Sequence, residues 1–147
     1  MTPYFDLGFL LTLVVKSPGR GTAWQAASRF NPPYRLNFLH QFHLENGLAR
    51  QLLSPKSEAR EIGAQALRQW NQYLDEGVFV VTSGEWDTAF RLAIGWNRNF
   101  TRTVPLPTFI LHPALALAEA ATHFLSFQPE NRQVARATGL RLLPERL

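Results

Sequence analysis

The feature that most constrains this chain is the stretch from Thr108 to Gln128, TFILHPALALAEAATHFLSFQ. An alanine-rich apolar run passes with no linker into a β-type run, His123 to Phe127, which stops at Gln128-Pro129. A helix leading straight into a short buried strand is the building unit of an α/β fold, because parallel strands need crossovers and helices usually supply them. In such sheets ligands collect at the carboxyl ends of the strands. The informative positions are therefore the start of this helix and the residue just past this strand. Phe109 and Gln128 stand there, and neither can ionise.

Pro113 predicts where the helix begins. Proline is tolerated in a first turn, breaks an interior one, and disfavours the α region for the residue before it. A start near Pro113 leaves His112 and Phe109 outside the helix. Elsewhere the pattern alternates. Strands are expected at Thr2–Asp6, Tyr34–Asn37, Val78–Val81, His123–Phe127 and Leu140–Leu143. Helices are expected at Leu7–Val15, Thr22–Arg29, Leu39–Leu53, Ser57–Glu76, Gly84–Asn99 and Pro129–Ala137. The clearest helix is Ser57–Glu76, with Ala59, Ile62, Ala66, Trp70, Tyr73 and Leu74 at steps of three and four, Ser57 as N-cap and Gly77 as C′ residue. Gly84–Asn99 repeats the period through Trp86, Phe90, Ala93, Ile94 and Asn97. Val78–Val81 is a continuous apolar run, as in a strand covered on both faces. Thr101–Pro107 reads as a loop. The expectation is a three-layer α/β/α domain around a central parallel sheet of four to five strands, with residues 1–147 as one domain.

Composition removes several chemistries. The chain contains no cysteine, so disulfides, thiolate nucleophiles and cysteine zinc sites are excluded. Phe9–Val15 is apolar but too short to span a bilayer, has Asp6 before it, and is followed by Lys16-Ser17-Pro18-Gly19 rather than a cleavage site. No membrane association and a cytoplasmic location are expected. The net charge is +4, and only Lys16 and Lys56 of the 15 basic residues are lysines. Arginine forks onto phosphate, although an arginine-rich composition alone accounts for the excess. Trp96-Asn97-Arg98-Asn99-Phe100-Thr101-Arg102 mixes aromatics with arginines. It suits a nucleic-acid surface through Arg98 and Arg102, and equally a helix end with cations at the negative dipole terminus.

Four stretches in this order resemble the PIN domain, in particular its VapC-like toxin branch. Tyr4-Phe5-Asp6-Leu7-Gly8-Phe9-Leu10 is similar to the opening strand with its first acidic residue. Leu39-His40-Gln41-Phe42-His43-Leu44-Glu45-Asn46-Gly47-Leu48 is similar to the helix carrying the second. Thr108 to Ala116 resembles the segment with an aspartate three residues before its histidine. Phe124-Leu125-Ser126-Phe127-Gln128, with Arg132 to Leu140, resembles the ending that carries the fourth.

The resemblance implies a ribonuclease, as in a toxin–antitoxin pair, whose clustered carboxylates hold Mg2+ or Mn2+ and activate water against a phosphodiester. Carried over by residue, Asp6 survives, the third acidic position is Phe109, the fourth is Gln128, and the small hydroxyl two after Asp6 is Gly8. The second acidic position falls on His43 when Leu39-His40, Asn46 and Leu48 are aligned, and on Glu45 after a two-residue shift. Helix phase points the other way from the alignment. Phe42, Leu44, Leu48, Ala49 and Leu52 place Glu45 at the centre of an apolar face, with His43 opposite. Asp6 and Glu45 are thus the remaining candidate catalytic and metal-binding residues.

Two readings follow. In one, catalysis is lost and the domain binds RNA, an antitoxin-like protein or a second copy of itself as a homodimer. In the other it is an active Mg2+- or Mn2+-dependent ribonuclease using Asp6, Glu45 and a substitute ligand, Glu130 or Asp87. Each residue also has a plainer role: Asp6 as a helix cap, Glu45 as an ion-pair partner, His112 and His123 as hydrogen-bonding residues. His40 and His43 lie three apart but lack a third metal ligand.

Overall fold

The computed structural model describes residues 1–99 and 110–146. In chain order the elements are β1 (Pro3–Phe5), α1 (Leu7–Val14), α2 (Arg20–Ala27), β2 (Tyr34–Asn37), α3 (Phe38–Leu52), α4 (Ser57–Asp75), β3 (Phe79–Thr82), α5 (Trp86–Asn99), α6 (Leu111–Ala118), β4 (His123–Leu125), α7 (Pro129–Ala137) and β5 (Arg141–Leu143). All five expected strands are present, and every pairing among the described residues is parallel. The strands lie in two ladders, β1-β4-β5 and β2-β3. The chain divides into two compact units, Leu7–Ser83 and Met1–Asp6 with Gly84–Leu147.

In the second of these units β4 is the middle strand, and His123, Phe124 and Leu125 are all buried. Pro3–Phe5 pairs in register with His123–Leu125, which pairs with Arg141–Leu143. Tyr4 stacks on Phe124 with ring centroids 5.8 Å apart, and its hydroxyl meets His112 Nδ1 at 3.0 Å. His123 Nδ1 lies 2.9 Å from Thr122 Oγ1. Both histidines thus serve as hydrogen-bonding groups. Helix α6 is buried from His112 through Ala116, as a helix apolar all round must be.

The start of α6 is earlier than Pro113 predicts. Leu111 and His112 are helical, and the proline is the third helical residue. The first four N–H groups of a helix have no intrahelical acceptor, so a proline there removes no bond. Its restriction on His112 is outweighed by burial of the first turn.

The unit Leu7–Ser83 is centred on Phe79, fully buried at the start of β3 and surrounded by Trp24, Tyr34, Trp70 and Tyr73 with ring centroids 5.7 to 6.4 Å away. Only one end of β3 is enclosed. Val80 is 41% exposed beside its register partner, the exposed Arg35. The expected two-sided burial is therefore corrected: this two-stranded ladder is open at Val80 and Arg35.

Helix faces also differ from the apolar count. On α3 the buried residues are His40, Leu44 and Leu48, whereas Phe42 is 64% exposed. On α5 they are Ala89, Ala93 and Trp96, with Phe90 and Ile94 about half exposed. Ala89 and Ala93 are buried where the larger apolar Phe90 and Ile94 are not, so apolarity alone does not set the inner face of this helix. Gly77 and Gly139, at φ +69° and +87°, follow α4 and α7 as left-handed C′ residues. The N-cap of α4 is Lys56, without a side-chain bond, rather than Ser57. Helix α3 is capped by Asn37, whose Oδ1 accepts from the Leu39 and His40 backbones while His40 Nδ1 returns to the Asn37 backbone.

Candidate functional site

The site is built at the carboxyl ends of β1 and β4. The ladder continues one step past each strand: the Asp6 N–H donates to Leu125 O at 2.9 Å, and the Ser126 N–H to Leu143 O at 3.1 Å. This backbone pairing places the Asp6 and Ser126 side chains together. Both residues are fully buried.

The Asp6 carboxylate is engaged from two sides. Its Oδ2 accepts from the Ser126 hydroxyl and, at 3.1 Å, from the Asn131 Nδ2 amide. Ser126 Oγ in turn accepts the Gln128 N–H at 3.0 Å, which fixes the hydroxyl. Asn131 comes from the first turn of α7, on the same face as buried Val134 and Ala135. Hydrogen bonds to an ionised acceptor are each worth about 1.5–3 kcal/mol, so these donors hold the carboxylate firmly.

Arg132 closes the arrangement. It is 6% exposed and donates from Nη1 to Ser126 O at 2.8 Å and from Nη2 to Pro144 O at 2.8 Å. Burial and the neighbouring Arg136 both pull its pKa below the usual guanidinium range, while the Asp6 charge pulls it up. A buried carboxylate and a buried guanidinium therefore lie within each other's field, bridged by neutral polar groups.

This donor set does not fit Mg2+ or Mn2+. Such ions take about six oxygen ligands, with carboxylates prominent among them. Here one carboxylate oxygen already accepts from a hydroxyl and an amide, and the nearby cation is a guanidinium. Among the described residues no three His, Asp or Glu side chains come together as a metal-binding group.

The other predicted residues have their own surroundings. Glu45 is on the exposed side of α3, not at the centre of its buried face, and accepts from Trp70 Nε1 at 3.2 Å and Gln41 Nε2 at 3.0 Å. His43 is half-buried on the flank of the buried face, 5.6 Å from the Phe42 ring, and burial lowers its pKa. The phase argument that set Glu45 inside and His43 outside is thus reversed, because Phe42 and Ala49 are apolar yet exposed. Gln128 is exposed at the N-cap of α7 and makes no side-chain cap bond. Glu130 and Asp87 are exposed in the first turns of α7 and α5, where they suit the helix dipoles. Arg98 is exposed in the last turn of α5. Phe109 and Arg102 lie outside the described residues.

Sequence reasoning missed Ser126, Asn131 and Arg132 as partners of Asp6. A serine between the apolar residues of a buried run, and an asparagine on the apolar face of the next helix, were the available signals.

No protein-family profile matches the chain, and no curated protein matches its sequence. A chain in the crystal structure of VapBC2 from Rickettsia felis, bound to a DNA fragment from their promoter, matches with a TM-score of 0.67 at 14% identity, over 97% of each chain. The likeness shows a shared fold: this chain is an α/β protein with a PIN-like fold.

Proposed function

We propose that this chain is a single PIN-like domain in which the carboxylate cluster has been replaced, and which acts by binding rather than by metal-dependent cleavage. The observation that carries the reading is the buried set Asp6, Ser126, Asn131 and Arg132. Asp6, the acidic residue of this set, is satisfied by neutral donors and lies in the field of a guanidinium. Three further positions that the resemblance makes acidic hold Phe109, Gln128 and either His43 or the surface residue Glu45. A hydrolytic site of this type needs a cation to activate water and stabilise charge on the phosphodiester, and the residues at Asp6 supply no place for one.

Binding partners of the proposed domain are RNA, an antitoxin-like protein or a second copy of the chain. The VapBC2 likeness favours a protein partner by analogy. Exposed Phe38, Phe42 and Leu53, at 56%, 64% and 84%, lie along one side of α3 and its end, the kind of apolar surface a partner covers. We place the domain in the cytoplasm. Among the described residues no helix is long and apolar enough to cross a membrane.

The test is incubation of the purified protein with RNA and Mg2+ or Mn2+. No cleavage above a metal-free control is expected. Robust metal-dependent cleavage that disappears in Asp6→Asn would overturn the reading in favour of an active ribonuclease.

A further inference from the structure

Helix α7 carries a feature beyond the Asp6 cluster, with which it shares Arg132. A cleft of about 360 Å³ opens along it, lined by Pro129, Arg132, Gln133 and Arg136. Arg132 and Arg136 are four residues apart, so they share a helix face. Their proximity is unfavourable, since Arg136 lowers the pKa of Arg132. No carboxylate is among the described residues that line the cleft, and the acidic charge that acts on Arg132 is that of Asp6 in the neighbouring cluster.

The two arginines are held differently. Arg132 is buried, and its guanidinium is fixed by the carbonyls of Ser126, Pro144 and Glu145. These acceptors orient it but carry no full charge, and Asp6 offsets its charge from within the cluster. Arg136 is exposed and can swing towards a ligand. Gln133, also exposed, adds an amide donor. One preorganised guanidinium, one mobile guanidinium and an amide, with no acidic group among the described lining residues, form a recognition set for a tetrahedral anion.

We propose that this cleft binds a phosphate group, with Arg132 as the fixed donor and Arg136 as the closing one. The group could belong to a single-stranded RNA backbone or be free phosphate, and the two sources share the same contacts. The proposal deepens the binding reading above and rests on it for the RNA source only.

Two probes decide it: inorganic phosphate followed by NMR titration, and a labelled single-stranded RNA followed by anisotropy across a salt series. Arg136→Gln is the test variant because its side chain is exposed and its loss should spare the fold. Arg35→Gln removes the same charge from the exposed side of β2 and serves as control. Arg136→Gln is expected to weaken whichever probe binds by about tenfold, and to reduce the RNA salt slope by about 0.7. Arg35→Gln should leave both near wild type. Binding of both probes, or of RNA alone, with this dependence assigns a phosphodiester. Binding of phosphate alone assigns a free anion. Wild-type protein that binds neither probe, or two variants that bind alike, overturns the proposal. Metal-dependent RNA cleavage would sink the earlier reading and leave this one standing.

Discussion

At the residue scale, Asp6 separates two kinds of buried carboxylate. In a cluster built for a cation, each carboxylate repels its neighbours until the ion arrives, so removing one relieves strain in the metal-free protein. Here Asp6 is the acceptor for Ser126 and Asn131 and offsets the Arg132 charge. Asp6→Ala is therefore expected to cost about 3 kcal/mol, the penalty for unsatisfied buried donors beside an uncompensated buried cation. Asp6→Asn, which keeps an acceptor, should cost less. Urea unfolding without divalent ions measures both, and a stabilised Asp6→Ala would contradict the assignment. His43 provides a pH-dependent companion. Burial lowers its pKa below 6.5, so as pH falls through 6.5 the unfolded chain takes up the proton first. Stability should decline in that window, becoming fully reduced below the folded-state pKa, and be unaffected by this group above 6.5. Thermal melts across this range should show a smaller decline for His43→Gln than for wild type. Equal declines would remove His43 as the source.

At the element scale, helix contacts distinguish two glycines. A Cβ on Gly63 of α4 would lie 2.9 Å from Gln51 Cβ and 3.3 Å from the Leu52 backbone nitrogen. Neither atom can swing aside, so overpacking of about 1–3 kcal/mol outweighs the helix-propensity gain of about 1 kcal/mol. A Cβ on Gly95 of α5 meets nothing within 4 Å. Gly63→Ala should lower the melting temperature and Gly95→Ala should raise it; the same sign for both would show that propensity alone governs. The pair also marks how far the sequence was legible. Alternation, turn residues and C′ glycines located the strands and helices to within a few residues, because those signals are local. Which face of α3 or α5 turns inward is not local. Phe42, Phe90 and Ile94 are apolar and exposed, while Ala89, Ala93 and His40 are buried, His40 as part of the cap on Asn37. Asp6 was visible as a lone acid at a strand end. Its partners were not, because Ser126 and Asn131 are 120 and 125 residues away and meet it only through parallel pairing.

At the scale of the whole molecule, the order of the chain constrains how it can unfold. The unit Leu7–Ser83 is inserted between β1 and the rest of the other unit. The sheet β1-β4-β5 therefore needs a strand from the first residues and two from the last quarter of the chain. Both junctions are short. Asp6 alone separates β1 from α1, and Ser83-Gly84-Glu85 separates β3 from α5. Loss of the β1 pairing strips one edge of β4 and frees Asp6 from Ser126, so the ladder and the buried cluster fail together. Unfolding of Leu7–Ser83 would pull on β1 through a one-residue connection. A single cooperative transition is the expected outcome, as in most domains of this size. Tryptophans report on each part separately: Trp24 and Trp70 lie in Leu7–Ser83, and Trp86 and Trp96 lie beyond it. Replacing one pair by phenylalanine at a time and following fluorescence alongside circular dichroism should give coincident urea midpoints. Separated midpoints would show two independently stable units, and would end the description of this chain as one PIN-like domain.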